Sequence, residues 1–173
     1  MEGAVDVIAV SLGGHIGLAA SGTRLTTHHA EHLRQVLAAT GGPLLLAYDN
    51  DSPGQDATLR AADPLAGLDA QVVQLPAGHD PADVVVATGF RGLGRALGES
   101  VPLVDSAITT RLRRWASHTG NPVALVDAVR EVAPPVTGAP GGDRARLVSL
   151  IASQLGLPVE VVSGTLLDAA APA

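Results

Sequence analysis

An apolar run, Leu44-Leu45-Leu46-Ala47-Tyr48, ends in Asp49-Asn50-Asp51-Ser52-Pro53-Gly54, so two carboxylates stand one residue apart directly after a candidate strand. In an open parallel sheet the ligand crevice lies at the carboxyl ends of the strands, and two oxygen ligands delivered there suit one divalent cation such as Mg²⁺. The same six residues are turn formers, and taken alone a polar turn explains them as well as a metal site does. A calcium loop of the EF-hand kind is excluded. Gly54 stands at its sixth position, but the twelfth requires a bidentate carboxylate and holds Arg60.

Two further acidic segments stand at a distance in sequence. In Glu2-Gly3-Ala4-Val5-Asp6-Val7-Ile8, Asp6 lies one helical turn beyond Glu2. Alone, Asp6 needs no role beyond complementing the positive end of a helix. In Gly78-His79-Asp80-Pro81-Ala82-Asp83, Asp80 as N-cap, Pro81 at N1 and Asp83 at N3 start a helix, a structural role that suffices by itself. Carboxylates brought together repel in their ionised forms unless a cation compensates, so convergence of the three segments would point to a metal.

Other candidates carry weaker signals. His28, Glu31 and His32 share one face of a helical turn, and His28 with His32 has the i, i+4 spacing of a zinc ligand pair, although a solvated helix face is the simpler reading. Arg111, Arg113 and Arg114 beside Trp115 suit nucleic acid through phosphate pairing and stacking, with Trp115 as a core residue the competing reading. Ser11-Leu12-Gly13-Gly14-His15 has neither the lysine of a P-loop nor the glycine spacing of a dinucleotide fingerprint, and reads as a turn that ends a helix.

The elements that must position these residues alternate between helix and strand up to about residue 88, the pattern of a parallel sheet covered by helices. A helix is expected over Val5–Leu12 and a strand over His15–Ala20. A helix capped by Thr26 or Thr27 then runs to Ala39 with Leu33, Val36 and Leu37 on its apolar stripe. Pro43–Tyr48 and Gln71–Leu75 read as strands, with a helix over Gln55–Leu65 between them. From residue 101 the signals are helical only: Val101–His118, Pro122–Val132, Arg144–Leu155 and Val159–Leu167. The Pro- and Gly-rich stretch 133–142 reads as a mobile loop. The expected organisation is an α/β domain over 1–98, a helical subdomain over 99–168 and a disordered tail over 169–173.

Composition narrows the classes. The 173 residues are 46% hydrophobic, enough to bury a core, and carry a formal charge of −6. Every basic side chain other than histidine is arginine, in an Ala-, Gly- and Val-rich chain that reads as genomic bias. Cysteine is absent, which excludes disulfides, thiolate zinc sites and cysteine nucleophiles. The negative charge argues against holding nucleic acid by bulk electrostatics, so any such contact needs local arginine, metal or a partner. The apolar start carries Glu2 and Asp6 and no basic residue before Arg24, unlike a secretory leader, and no run reaches the roughly 18–20 apolar residues of a spanning helix. A cytoplasmic protein is expected.

Taken together, the acidic segments resemble the Toprim region of bacterial replicative DNA primases of the DnaG type. That family runs Glu-Gly-x-x-Asp-Val-Ile, then Gly-Thr-x-Leu-Thr, then Asp-Gly-Asp-x-Ala-Gly, then Gly-Lys-Asp-Pro-x-Asp. The chain offers Glu2-Gly3-Ala4-Val5-Asp6-Val7-Ile8, Gly22-Thr23-Arg24-Leu25-Thr26, Asp49-Asn50-Asp51-Ser52-Pro53-Gly54 and Gly78-His79-Asp80-Pro81-Ala82-Asp83 in the same order. Its helical part, with Leu155-Gly156-Leu157-Pro158-Val159-Glu160-Val161-Val162, is similar to the segment after Toprim in primases. Departures are Asn50 for the family's glycine, Pro53 for its alanine and His79 for its lysine.

The resemblance implies a Toprim-like parallel sheet flanked by helices, followed by a small all-helical subdomain. It implies Mg²⁺, with Mn²⁺ as substitute, at Asp49, Asp51 and Asp80, with Asp6 adding to the acidic cluster and Glu2 binding metal or serving as acid and base. The implied activity is nucleotidyl transfer in RNA primer synthesis from nucleoside triphosphates on a single-stranded DNA template. Toprim sites also serve phosphodiester cleavage, so a nuclease is a second reading, against which the Gly-His-Asp-Pro-x-Asp segment favours the primase branch. In Toprim domains the glutamate ends a strand, and here only Met1 precedes it. A strand and the basic lobe of a full primase are therefore expected to be missing. The third reading is a truncated, non-catalytic remnant acting as a binding module, with a partner chain supplying the missing strand or lobe.

Overall fold

The computed structural model describes the chain except for Glu2, residues 21–23, Asn50, Thr119, Pro140 and residues 171–173. Two compact units, Met1–Leu103 and Val104–Ala173, divide it.

The first unit runs α1 (Ala4–Leu12), α2 (Thr27–Thr40), β1 (Leu44–Leu46), α3 (Ser52–Ala61), β2 (Ala70–Val73), α4 (Pro81–Gly98) and β3 (Ser100–Pro102). Strands β1 and β2 pair in parallel, Leu44 opposite Ala70 and Leu46 opposite Val72, with α3 in the crossover that a parallel connection requires. Strand β3 lies antiparallel on the other side of β2, Gln71 opposite Pro102 and Val73 opposite Ser100. The sheet, expected to be parallel, is thus a mixed one with a parallel β1–β2 pair. Three residues ending in a proline gave β3 no periodic signal, and its short link from α4 folds it back on β2.

Side chains alternate across the sheet as the two-residue period of a strand demands. On one face Leu46 and Ala70 pack with Ala30 of α2, Ala61 of α3, Leu65 and Leu103. On the other, Ala47 and Val73 pack with Val10 of α1 and Val84, Leu93 and Leu97 of α4. Helices therefore cover both faces, which gives an α/β fold of three layers.

The expected strand over His15–Ala20 does not form: residues 16–20 have no regular structure. An apolar run supplies propensity, but a strand exists only through a paired neighbour, and among the described residues nothing pairs with the outer edge of β1. A trace of pairing remains, since the Ala20 N–H donates to the Met1 carbonyl at 3.4 Å. The part of the Gly-Thr-x-Leu-Thr turn at Gly22 and Thr23 lies outside the described residues.

The second unit is helical: α5 (Leu103–Arg113), a 3₁₀ turn (Ala116–His118), α6 (Pro122–Glu131), α7 (Ala133–Thr137), α8 (Gly141–Leu155) and α9 (Val159–Ala170). Its core joins Ile108, Val129, Val132, Leu147, Ile151 and Val162. The expected loop over 133–142 instead contains α7 and the start of α8. Pro134 and Pro135 fall in the first turn of α7, where a backbone N–H has no intrahelical acceptor and its loss costs nothing. Helix α9 continues to Ala170, and the rest of the expected tail lies outside the described residues. Among the described residues no single helix is long and apolar enough to cross a membrane.

Candidate functional site

Because β1 and β2 run in parallel, the segments that leave their carboxyl ends emerge at the same edge of the sheet. Asp49 and Asp51 follow β1 there, and Asp80 lies on the connection from β2 to α4. Asp51 is the N-cap of α3: its Oδ1 accepts the Gly54 N–H at 2.7 Å, and Pro53 stands in the first turn. The preference of Asp for this position and the tolerance of Pro in the first turn fix the helix start. The helix therefore starts three residues before the expected Gln55, because Asp51 and Pro53 belong to its cap and first turn and not to a free turn.

Gly54 is buried against the preceding strand end. A Cβ at this position would overlap the Asp49 carbonyl oxygen, so only glycine lets the first turn of α3 approach the backbone that carries Asp49. Thr58, also buried, closes the turn by donating its hydroxyl to the Gly54 carbonyl at 3.0 Å. Asp49 is half-buried and Asp51 exposed.

Asp80 caps α4 as its sequence implies, with Oδ1 accepting the Asp83 N–H at 2.6 Å and Asp83 Oδ2 accepting the Asp80 N–H at 3.4 Å. Asp6 is placed differently from what sequence suggested. It is 5% exposed. Its Oδ2 accepts the Gly3 N–H at 3.2 Å and its Oδ1 accepts the Ala82 N–H at 3.4 Å. One buried carboxylate therefore fastens the backbone beside Glu2 to the first turn of the helix that Asp80 caps. Sequence offered a helix-dipole role and, through the resemblance, a place in the acidic cluster, and not this clip, because the partner N–H lies 76 residues away. Glu2 and Asn50 themselves lie outside the described residues.

Among the described residues no group of three or more His, Asp or Glu side chains is close enough to hold a metal ion, so the acids form no closed cage. Each is turned to a local task, Asp51 and Asp80 to capping and Asp6 to clipping α1 to α4. The donors still suit Mg²⁺ in kind. This ion prefers hard oxygen ligands, and it is usually held by one or two carboxylates completed by water and substrate phosphate, which an open acidic edge allows.

In the second unit, the Trp115 indole N–H donates to Glu131 Oε2 at 2.8 Å, and Arg114 pairs with Glu131 Oε1 at 2.8 Å. Trp115 also packs against the helical core. Arg111 is half-buried and Arg113 exposed. In the first unit, a cavity of about 730 Å³ lies beside β1, lined among others by Ile16, Leu18, Leu33, Leu37, Leu44 and Leu46. Sequence reading did not anticipate it.

A family described as Toprim-like matches residues 1–85. A DNA primase of Deinococcus radiodurans is 32% identical over 122 residues, covering 69% of this chain and 21% of that protein. The RNA polymerase domain of Mycobacterium tuberculosis primase DnaG, solved with a double-stranded DNA oligomer carrying a 6-nucleotide overhang, is 27% identical with a TM-score of 0.65, covering 91% of this chain and 50% of that one. The catalytic core of Escherichia coli primase shares the fold, with a TM-score of 0.74 at 23% identity over 91% of this chain and 50% of that one. The chain thus spans about half the length of these solved primase domains and about a fifth of the curated Deinococcus relative. Residues 1–85 are thus a Toprim-like region, and the chain as a whole shares the fold of the catalytic cores of bacterial DNA primases.

Proposed function

We propose that this chain supplies the acidic, metal-holding part of a primer-synthesising site, for Mg²⁺-dependent nucleotidyl transfer in RNA primer synthesis on single-stranded DNA in the cytoplasm. One observation carries the reading: the parallel β1–β2 pair delivers Asp49, Asp51 and Asp80 to one edge of the sheet, where two of them start helices. Asp49 and Asp51 would hold the cation, with Asp80 as a further oxygen donor. The bound cation would offset charge on the attacking and leaving oxygens of the phosphoryl group. The chain's own contribution is positional. Gly54 seats α3 against the Asp49 backbone, Asp51 and Asp80 fix two helix starts, and Asp6 sets α4 relative to the segment of Glu2, the proposed acid and base. Nucleoside triphosphates and a DNA template are the proposed partners, in keeping with the DNA bound by the Mycobacterium domain. Arg111, Arg113 and Arg114 are the proposed phosphate contacts, with Trp115 alongside them.

The test is the melting temperature of the wild type and of Asp49→Asn/Asp51→Asn, with and without millimolar Mg²⁺ or Mn²⁺. Asn is as good an N-cap as Asp, so the double variant keeps its helix. A cation held only by the folded state must stabilise it. A rise in the wild type that is lost in the variant supports the site and justifies primer-synthesis assays. No rise in the wild type, in a cooperative melt, would overturn it.

A second reading, a non-catalytic binding module, is favoured by the outer edge of β1. Three apolar residues there lie beside an apolar cavity, a place where an extended strand from a partner chain would both pair and bury side chains. On this reading the chain gains stability from a strand-donating partner and none from Mg²⁺, so the same melts separate the two.

A further inference from the structure

We infer that His28 and His32 form a second metal site, for a borderline transition ion such as Zn²⁺ or Ni²⁺ and not for Mg²⁺. Both stand on the first two turns of α2, four residues apart, where side chains lie one above the other with Cβ atoms about 5–6 Å apart. Their ring centroids are 4.4 Å apart with planes at 64°, an edge-to-face pair. From that arrangement a modest rotation about each side chain turns one nitrogen of each ring to a common ion, at the Zn–N length of about 2.0–2.1 Å.

The neighbouring groups are committed elsewhere. His29 Nδ1 accepts the Thr26 N–H at 3.3 Å, and the Thr26 hydroxyl accepts the His29 N–H, so His29 belongs to the helix cap. Glu31 pairs with Arg34 at 3.3 Å. Among the described residues neither the His28 nor the His32 ring makes a hydrogen bond, which leaves both free to ligate. No third His, Asp or Glu among the described residues joins them, so the remaining positions on the ion go to water. Imidazole nitrogens suit Zn²⁺, Ni²⁺ and Cu²⁺, whereas Mg²⁺ takes hard oxygens. The pair on α2 and the acidic edge of the sheet therefore select different ions, and the inference stands without the proposed activity.

Only the folded helix holds the two rings one turn apart, so a bound ion stabilises it. The full chain, freed of metal with a chelator, is titrated with ZnCl₂ in a calorimeter and melted with and without Zn²⁺, as wild type, His28→Ala, His32→Ala and Asp49→Asn/Asp51→Asn. The expected result is saturable one-to-one binding and a higher melting temperature in the wild type. Binding should weaken about tenfold or more in each histidine variant and remain unchanged in the aspartate variant. Both histidines are exposed, so the metal-free melts of their variants should match the wild type. No Zn²⁺ binding by the wild type, binding undiminished in either histidine variant, or binding lost with Asp49 and Asp51 would each overturn the inference.

Discussion

Gly54 and Asp6 do the least visible and most testable work in the proposed site. Gly54→Ala should gain helix propensity of roughly 1 kcal/mol on an exposed helix, but here the new Cβ meets the Asp49 carbonyl oxygen. The backbone must move, so a net loss of about 1–3 kcal/mol is expected, read as a lower melting temperature, together with a weaker Mg²⁺ response because Asp49 is displaced. An unchanged or higher melting temperature would mean that α3 does not press on the strand end. Asp6→Ala leaves the N–H groups of Gly3 and Ala82 without their acceptor, at about 1–3 kcal/mol for a buried group, whereas Asp6→Asn keeps one acceptor oxygen and should lose less. Equal melts for wild type, Asn and Ala variants would show that the clip carries no stability. What sequence could and could not disclose separates between Asp80 and Asp6. The capping role of Asp80 was legible because cap, proline and second acid are contiguous. The clip made by Asp6 was not, because its acceptor role depends on how α1 packs on α4, and no local pattern encodes that.

At the scale of elements, capped helix starts and the two parallel strands β1 and β2 were legible, and the outcome of short strand runs that depend on a neighbour was not. Thr26 caps α2 and Asn121 caps α6 through contacts two or three residues away, so each start is written in its own neighbourhood. The run His15–Ala20 has strand propensity and stays irregular for want of a neighbour, and β3 exists through its pairing with β2, reinforced by the Ser100 hydroxyl donating to Gln71 Oε1 at 2.6 Å. Helix α4 shows a further nonlocal choice. Gly89, within it, has φ of 69° and ψ of −179°, which breaks the helical path between Thr88 and Phe90. Beyond its chain neighbours and the backbone of its own helix, nothing lies within 4 Å of where its Cβ would stand, so a substitution there tests the backbone conformation. In an unbroken helix Gly89→Ala would stabilise by roughly 1 kcal/mol, and at positive φ it should instead destabilise by about 1–2 kcal/mol. The sign of the change in a thermal melt decides whether the break belongs to the folded state.

Over the whole molecule, charge and core are partitioned between the units. Met1–Leu103 has five arginines against eleven acids, and Val104–Ala173 has six against six, so the entire net charge of −6 resides in the unit that bears the proposed metal site. That asymmetry fits an α/β unit that recruits a cation. The second unit also owns a continuous core built from its own residues, in which Ile108, Val129, Val132, Leu147, Ile151 and Val162 are fully buried. It has in addition an ion pair between Arg146 and Asp105, whose hydrogen bond holds the guanidinium above its ordinary range, and Asp143 joins it at 3.4 Å. These side chains are partly exposed, so the pair adds little beside the core. Residues 104–173 expressed alone should therefore be helical by circular dichroism and melt cooperatively. At about 0.05–0.15 kcal/mol per residue, a unit of this size holds roughly 3–10 kcal/mol of stability, and Ile151→Ala, which opens a cavity at a fully buried position, should remove about 2–5 kcal/mol of it. That loss is of the same order as the total, so the variant fragment should show a broad or absent transition where the parent shows a sharp one. A parent fragment without a cooperative melt would mean that the helical core needs the rest of the chain, and the division into two units would then describe packing without independent stability.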